Sequence, residues 1–171
     1  MNLVYLGVGS NIEPHANISI GLDVLRDQFG MRRASSAYES AALGFDGPAF
    51  INLAVELQTD LGLAELAAEL RAFEHRMGRP QRASRFSSRT LDLDILSYGE
   101  LSGQVAGVQL PRAEITENAY VLAPLAELAP AGVHPLLKVS YAQLWAEYDR
   151  ARQPLQQLTF AHGDWVLPAE V

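Results

Sequence analysis

From Leu91 to Ile95 the chain alternates without exception, with Leu91, Leu93 and Ile95 on one parity and Asp92 and Asp94 on the other. A period of two is that of a β-strand with one face in a core, so the two acids project together from the opposite face. Near the start, the apolar run Leu3 to Val8 leads into Gly7, Val8, Gly9, Ser10 and Asn11, which predicts a first strand whose glycines serve a tight turn. Pro14 then stands where a helix can begin, Ile18, Leu22, Leu25 and Phe29 recur at helical spacing, and Gly30 closes the segment. A weaker strand covers Met31 to Tyr38, and a loop bearing Gly44, Gly47 and Pro48 covers Ser40 to Ala49. Phe50 to Leu57 alternates clearly as a third strand, antiparallel to the second if the loop turns the chain back.

Leu63, Leu66, Leu70, Phe73 and Met77 mark the stripe of a second helix that leaves Glu74 to one side, with Gly78 placed to end it. An arginine-rich loop and the acid-bearing strand follow. The order strand, helix, strand, strand, helix, strand predicts an α+β ferredoxin-like sandwich, with an antiparallel sheet, both helices on one face and the other face open to ligands. After Tyr98 the pattern loosens into C-terminal additions: a turn over Gly99 to Gly107, a short strand at Val108 to Leu110, and a helix-prone segment from Tyr120 to Leu128 interrupted by Pro124. Tyr141, Leu144, Trp145 and Tyr148 suggest a third helix, and Leu155 to Phe160 a last strand. No repeat or compositional break divides residues 1–171 into more than one domain.

The 171 residues, 49% of them hydrophobic, suffice for one buried core. Cysteine is absent, which excludes a disulfide framework, a thiol nucleophile and a zinc–thiolate site. No run is long enough to span a bilayer and the first residues lack a basic signal region, so a soluble cytoplasmic protein is expected. The net charge of −7 disfavours nucleic acid as a partner. Basic charge is concentrated instead: six arginines lie between Arg71 and Arg89 with Glu74 as the one acid among them. An arginine cluster on an acidic protein suits a small polyanion, because each guanidinium fork matches two phosphate oxygens.

Asp92 and Asp94 form a hard-oxygen pair suited to magnesium, next to that loop. Metal beside arginine points to phosphate chemistry, although an acid pair on the solvent face of a strand is an ordinary feature when taken alone. Phe50 and Asn52 share a strand face at a loop exit, where a ring and an amide can stack on and read a flat heterocycle, or serve simply as a core ring and a cap. The four histidines have no metal-ligand spacing, and neither a P-loop nor a nucleophile elbow occurs.

Together these residues resemble the 6-hydroxymethyl-7,8-dihydropterin pyrophosphokinase family over about the first 130 residues. The resemblance rests on Gly9, Ser10, Asn11; Leu43, Gly44; Phe50, Asn52; Glu74, Gly78, Arg79; the signature Arg89, Thr90, Leu91, Asp92, Leu93, Asp94; and Pro124, Leu125, Glu127, Ala129, Pro130. It implies a monomer or weak homodimer that moves the diphosphate of ATP onto a reduced pterin. Asp92 and Asp94 would hold two magnesium ions, and Arg79 and Arg89 would grip phosphate and count with the acids as catalytic. Arg82, Arg85, Phe86, Glu74 and Arg112 would line the ATP site. Phe50 and Tyr120 would sandwich the pterin, Asn52 would read its edge, and Ser40, Leu43 and Gly44 would contact it from the loop. The chain departs from the resemblance at Gln81, Phe86, Ser87, Ser88, Arg112 and Asn118, where arginine, tryptophan, glycine, proline, histidine and arginine are usual. Two alternatives stay open: a pterin-binding regulatory paralogue with weak transfer, and, from the fold and arginines alone, an RNA-binding sheet.

Overall fold

A computed structural model describes residues 1–42, 46–78 and 90–158. Strand β1 (Asn2–Ser10) is followed by helix α1 (Pro14–Gln28), strands β2 (Met31–Ala34), β3 (Tyr38–Ser40) and β4 (Phe50–Thr59), helix α2 (Leu63–Arg76) and strand β5 (Asp92–Tyr98). The remainder forms the hairpin strands β6 (Gly103–Val105) and β7 (Val108–Leu110), helices α3 (Glu114–Glu117), α4 (Ala119–Leu128) and α5 (Tyr141–Glu147), and the two-residue strand β8 (Gln156–Gln157). The main sheet runs β5-β1-β4-β3-β8, with β2 also paired to β4, and every pairing is antiparallel. This is the expected α+β ferredoxin-like order, with β5 at one edge.

The first core forms because β1, β4 and β5 present Leu6, Val8, Leu53, Val55, Leu93 and Ile95 to the stripes of α1 and α2, among them Ile18, Leu22, Leu66 and Phe73. Both helices lie on this face, as their periodicity requires. Gly78, with a φ of +100°, ends the turn after α2 as expected, since an L side chain is strained there.

Several expectations need correction. The other sheet face is open over only part of its area: Tyr5, Ala54 and Leu96 pack there against Leu122, Leu125 and Leu128 of α4 and Tyr141 of α5. Pro124 does not interrupt α4, which runs through it; burial of that helix's apolar face outweighs one missing backbone hydrogen bond. The weak second strand is two strands, β2 and β3. Gly99 to Gly107 includes β6, turned into β7 by Ala106 and Gly107 at positive φ. The expected last strand is reduced to β8, and Thr159 and Phe160 lie outside the described residues.

Gly7 and Gly9 are not turn residues either, because β1 carries them inside the sheet. Both have work there that a turn would not explain.

Candidate active site

The register fixes which residues meet. Across β4, β1 and β5, Asn52 stands opposite Gly9 and Gly9 opposite Asp92; one step along, Ala54, Gly7 and Asp94 form the next row. Side chains alternate along a strand, so Asn52, Asp92 and Asp94 rise from the face on which Gly7 and Gly9 offer none. A Cβ at Gly9 would lie 2.5 Å from the Asn52 side-chain oxygen. The glycine leaves that amide its place. A Gly9→Ala variant is therefore expected to fold but to displace the Asn52 amide, and a substrate held by that amide would show a KM raised about tenfold, the effect of one misplaced polar contact; steady-state kinetics with each substrate varied separately would measure it.

Asp94 sits among charges. Its Oδ1 forms an ion pair with Arg112 Nη2 at 3.3 Å, and Arg112 Nε donates to Glu114 Oε2 at 2.6 Å. The Arg112 backbone N–H is in turn held by the Leu96 carbonyl at 2.9 Å, which ties the segment after β7 to the acid-bearing strand. Although 37% of the Asp94 side chain is exposed, its carboxyl is pushed up to about 7, first by burial of the group and then by Asp92; Arg112 opposes the shift, and Glu74 and Glu114 add to it. Three acids around one carboxylate outweigh a single guanidinium.

Glu74 is buried, which corrects its placement beside the helical stripe. It lies four residues after Leu70, on the same face, and its Oε2 accepts from the Leu93 backbone N–H at 2.7 Å. Because β1 is the one strand paired with β5 among the described residues, this carboxylate satisfies a donor at the sheet edge. Between α2, β5 and the β6–β7 hairpin opens a cleft of about 390 Å³, whose lining includes Leu70, Arg71, Glu74, His75, Ile95, Gln104, Val108 and Gln109 together with Asp94 and Arg112. Walls that are mostly polar and carry both acids and arginines suit a polar, charged ligand.

The structure thus brings Asp94, Glu74 and Arg112 into the lining of this cleft, with Asp92 two residues before Asp94 on β5 and Asn52 on the neighbouring strip of sheet. Ser40 pairs with Phe50 at the start of β4. Tyr120 lies in the first turn of α4, and its hydroxyl accepts from Asn118 Nδ2 at 3.0 Å. Arg79, Arg82, Arg85, Phe86 and Arg89, together with Leu43 and Gly44, lie outside the described residues. Glu114 was missed by sequence reasoning, its one signal being its place two residues after Arg112. The alternation of Gly7 and Gly9 within an apolar strand was the available sign of a glycine floor.

The family model described as 7,8-dihydro-6-hydroxymethylpterin-pyrophosphokinase (HPPK) matches residues 5–130. A Synechocystis protein named 2-amino-4-hydroxy-6-hydroxymethyldihydropteridine pyrophosphokinase is 35% identical over 147 residues, covering 84% of this chain and 75% of its own. One of the same name from Pseudomonas aeruginosa is 38% identical over 131 residues, covering 74% and 80%. Among solved structures, Plasmodium falciparum HPPK-DHPS with SDX-DHP superposes with a TM-score of 0.64 at 14% identity, over 86% of this chain and 44% of that one. A further HPPK-DHPS structure, in complex with substrates, gives a TM-score of 0.68 at 13% identity, over 88% of this chain and 44% of that one. At such identities these structures speak for the fold, and the chain spans less than half their length.

Proposed function

The chain belongs to the 7,8-dihydro-6-hydroxymethylpterin-pyrophosphokinase family, and on that premise we propose that it transfers the diphosphate of ATP to 6-hydroxymethyl-7,8-dihydropterin, releasing AMP, in folate biosynthesis. It is a pyrophosphokinase with ATP as co-substrate. The observation that carries the site assignment is the row Asn52, Gly9, Asp92. Neighbouring strands are about 4.8 Å apart, so the backbone positions of Asn52 and Asp92 stand roughly 10 Å apart, with the Asn52 amide lying over Gly9 between them. A bicyclic ring held by that amide would turn its one-carbon arm toward Asp92.

In this proposal Asn52 hydrogen-bonds the pterin edge, Phe50 and Tyr120 face its ring, and Ser40, Leu43 and Gly44 border it. The cleft beside Asp94 takes the nucleotide, with Glu74, Phe86 and Arg112 near it, and Arg79, Arg82, Arg85 and Arg89 hold phosphate oxygens. Asp92 and Asp94 suit magnesium, which ordinarily takes one or two carboxylates and completes its shell with water and phosphate. Among the described residues no group of three or more His, Cys, Asp or Glu is gathered into a larger cage, and Asp94, lifted first by burial and then by the charge of Asp92, has a neighbouring negative charge that a dication would balance. When bound, magnesium supplies charge neutralisation at the ATP phosphates.

The protein's own part is alignment. The hydroxyl oxygen of the pterin arm forms a bond to the β-phosphorus and gives up its proton to solvent as the bond from that phosphorus to the α,β-bridging oxygen breaks, and AMP leaves with that oxygen. Asn52 and the flanking rings hold the hydroxyl in line, and the arginines hold the diphosphate, turning an encounter of two solutes into one within a single site. The proposal also sets the protein in the cytoplasm, as a monomer or weak homodimer acting on small molecules; no helix among the described residues is long and apolar enough to cross a membrane.

Incubation with ATP, magnesium and hydroxymethyldihydropterin is expected to release AMP and no ADP, read by nucleotide chromatography. Absence of AMP at saturating substrates would end the proposal. Pterin binding by calorimetry without AMP release would instead favour the regulatory alternative, which Arg112 keeps in view because it is engaged by Asp94 and Glu114.

A further inference from the structure

The segment after Pro130 lies beyond the family match, yet it returns to α4. Ser140 caps α5 by accepting from the Gln143 N–H at 3.1 Å. Trp145 of α5 and Tyr148 just after it stack at 5.6 Å, Arg150 lies over Trp145 at 4.6 Å and Arg152 over Tyr148 at 5.5 Å. The Tyr148 hydroxyl donates to the Glu117 carbonyl at 2.8 Å. These contacts pin the chain so that Gln153 arrives at the N-terminus of α4.

There it does what the local cap does not. Asn118 is the residue before α4, and its side chain makes no capping hydrogen bond. Instead the first helical N–H, that of Ala119, donates to Gln153 Oε1 at 2.8 Å across 34 residues of sequence. A backbone N–H can only donate, so this bond fixes which end of the Gln153 amide is oxygen. The Gln153 nitrogen must then donate, and it meets Asn118 Oδ1 at 2.9 Å. That in turn sends Asn118 Nδ2 to the Tyr120 hydroxyl oxygen at 3.0 Å. One backbone group thereby sets the direction of three successive hydrogen bonds, and the last of them tethers a ring that has only two side-chain torsions.

We propose that Gln153, acting through Asn118, is a positioning residue that holds the Tyr120 ring in the orientation that receives the pterin. This rests on the assignment of Tyr120 to the pterin site made above. A tethered ring has less rotational freedom to lose when substrate stacks on it, so the relay acts on pterin binding and not on the nucleotide. It also gives the tyrosine hydroxyl a use that a phenylalanine ring would lack.

The test is a double-mutant cycle on the intact chain, read as the Kd for hydroxymethylpterin and, separately, for ATP with magnesium, by titration calorimetry. Gln153→Ala is expected to weaken pterin binding about fivefold, the factor that one neutral hydrogen bond supplies, and to leave the ATP Kd unchanged. Tyr120→Phe keeps the cap at Ala119 and is expected to weaken pterin binding by a similar factor. Combined, the two changes should cost no more than either alone, because they break the same chain of bonds. The inference is overturned if either single variant binds pterin like the wild type, if the two losses multiply, or if ATP binding weakens in parallel. A wild-type protein that binds pterin but releases no AMP would sink the transfer reaction while the cycle still decides the relay. One that binds no pterin would overturn both.

Discussion

Asp94→Asn is expected to lower AMP release by at least ~100-fold, the usual scale for removing a charge-stabilising group at a phosphoryl-transfer site, while making the metal-free protein more stable. The two effects share one cause. The Asp94 carboxyl is raised from 3.8 to about 7 by burial and by Asp92, Glu74 and Glu114, with only Arg112 opposing. A raised acid binds its proton more tightly in the folded chain than in the unfolded one, so its contribution to stability is complete below about pH 4 and is lost as pH rises through about 7. At pH 8 the wild-type protein carries the full cost of the charge, and asparagine, which carries none, relieves it. Allowing for the partial exposure of Asp94, the gain is about 1 kcal/mol, or roughly 2–4 °C in Tm for a chain of this size. Melting curves without metal at pH 5 and pH 8 would show the variant ahead only at the higher pH. A variant less stable at pH 8, or one that keeps full turnover, would contradict this account.

Glu74→Ala acts on the same strand by a different route. The Glu74 carboxylate accepts from the Leu93 N–H at 2.7 Å inside the protein, and alanine leaves that donor buried between α2 and β5. An unsatisfied buried group costs about 1–3 kcal/mol, so the melting temperature is expected to drop by roughly 5 °C or more. Activity should fall too, since Leu93 separates Asp92 from Asp94. Glu74→Gln retains an acceptor oxygen and should recover most of the stability, which thermal melts of the two variants side by side would reveal. An alanine variant melting with the wild type would mean that water or another group satisfies Leu93.

Glu74 also illustrates where sequence reasoning falls short. A stripe drawn through apolar residues skips a carboxylate even when it occupies the buried face, and only the placement of β5 beside α2 gives that carboxylate its donor. Gly9 was misread for a related reason: a glycine near a strand end suggests a turn, and its use as a gap for Asn52 depends on a strand more than 40 residues away. Glu127 shows the same dependence on distance. It stood in the sequence only as part of a resemblance, whereas the structure has it accept from the Ser36 N–H at 2.8 Å and the Tyr38 hydroxyl at 2.5 Å, joining α4 to the strand that carries Ser40.

What the sequence by itself determined was whatever repeats locally: the alternation that puts Asp92 and Asp94 on one face of β5, the stripes of α1 and α2, the glycine ending after α2, and hence the βαββαβ order and its sandwich. Those features follow from spacings of two to four residues, which a single chain displays openly. Tertiary structure alone decided that α4 and α5 cover part of the second sheet face, that Arg112 and Glu114 bracket Asp94, and that Gln153 reaches back to Asn118. Each of these joins segments whose own periodicity is indifferent to the partner, and the fold selects them because buried donors and charges must find acceptors and counter-charges wherever packing brings them.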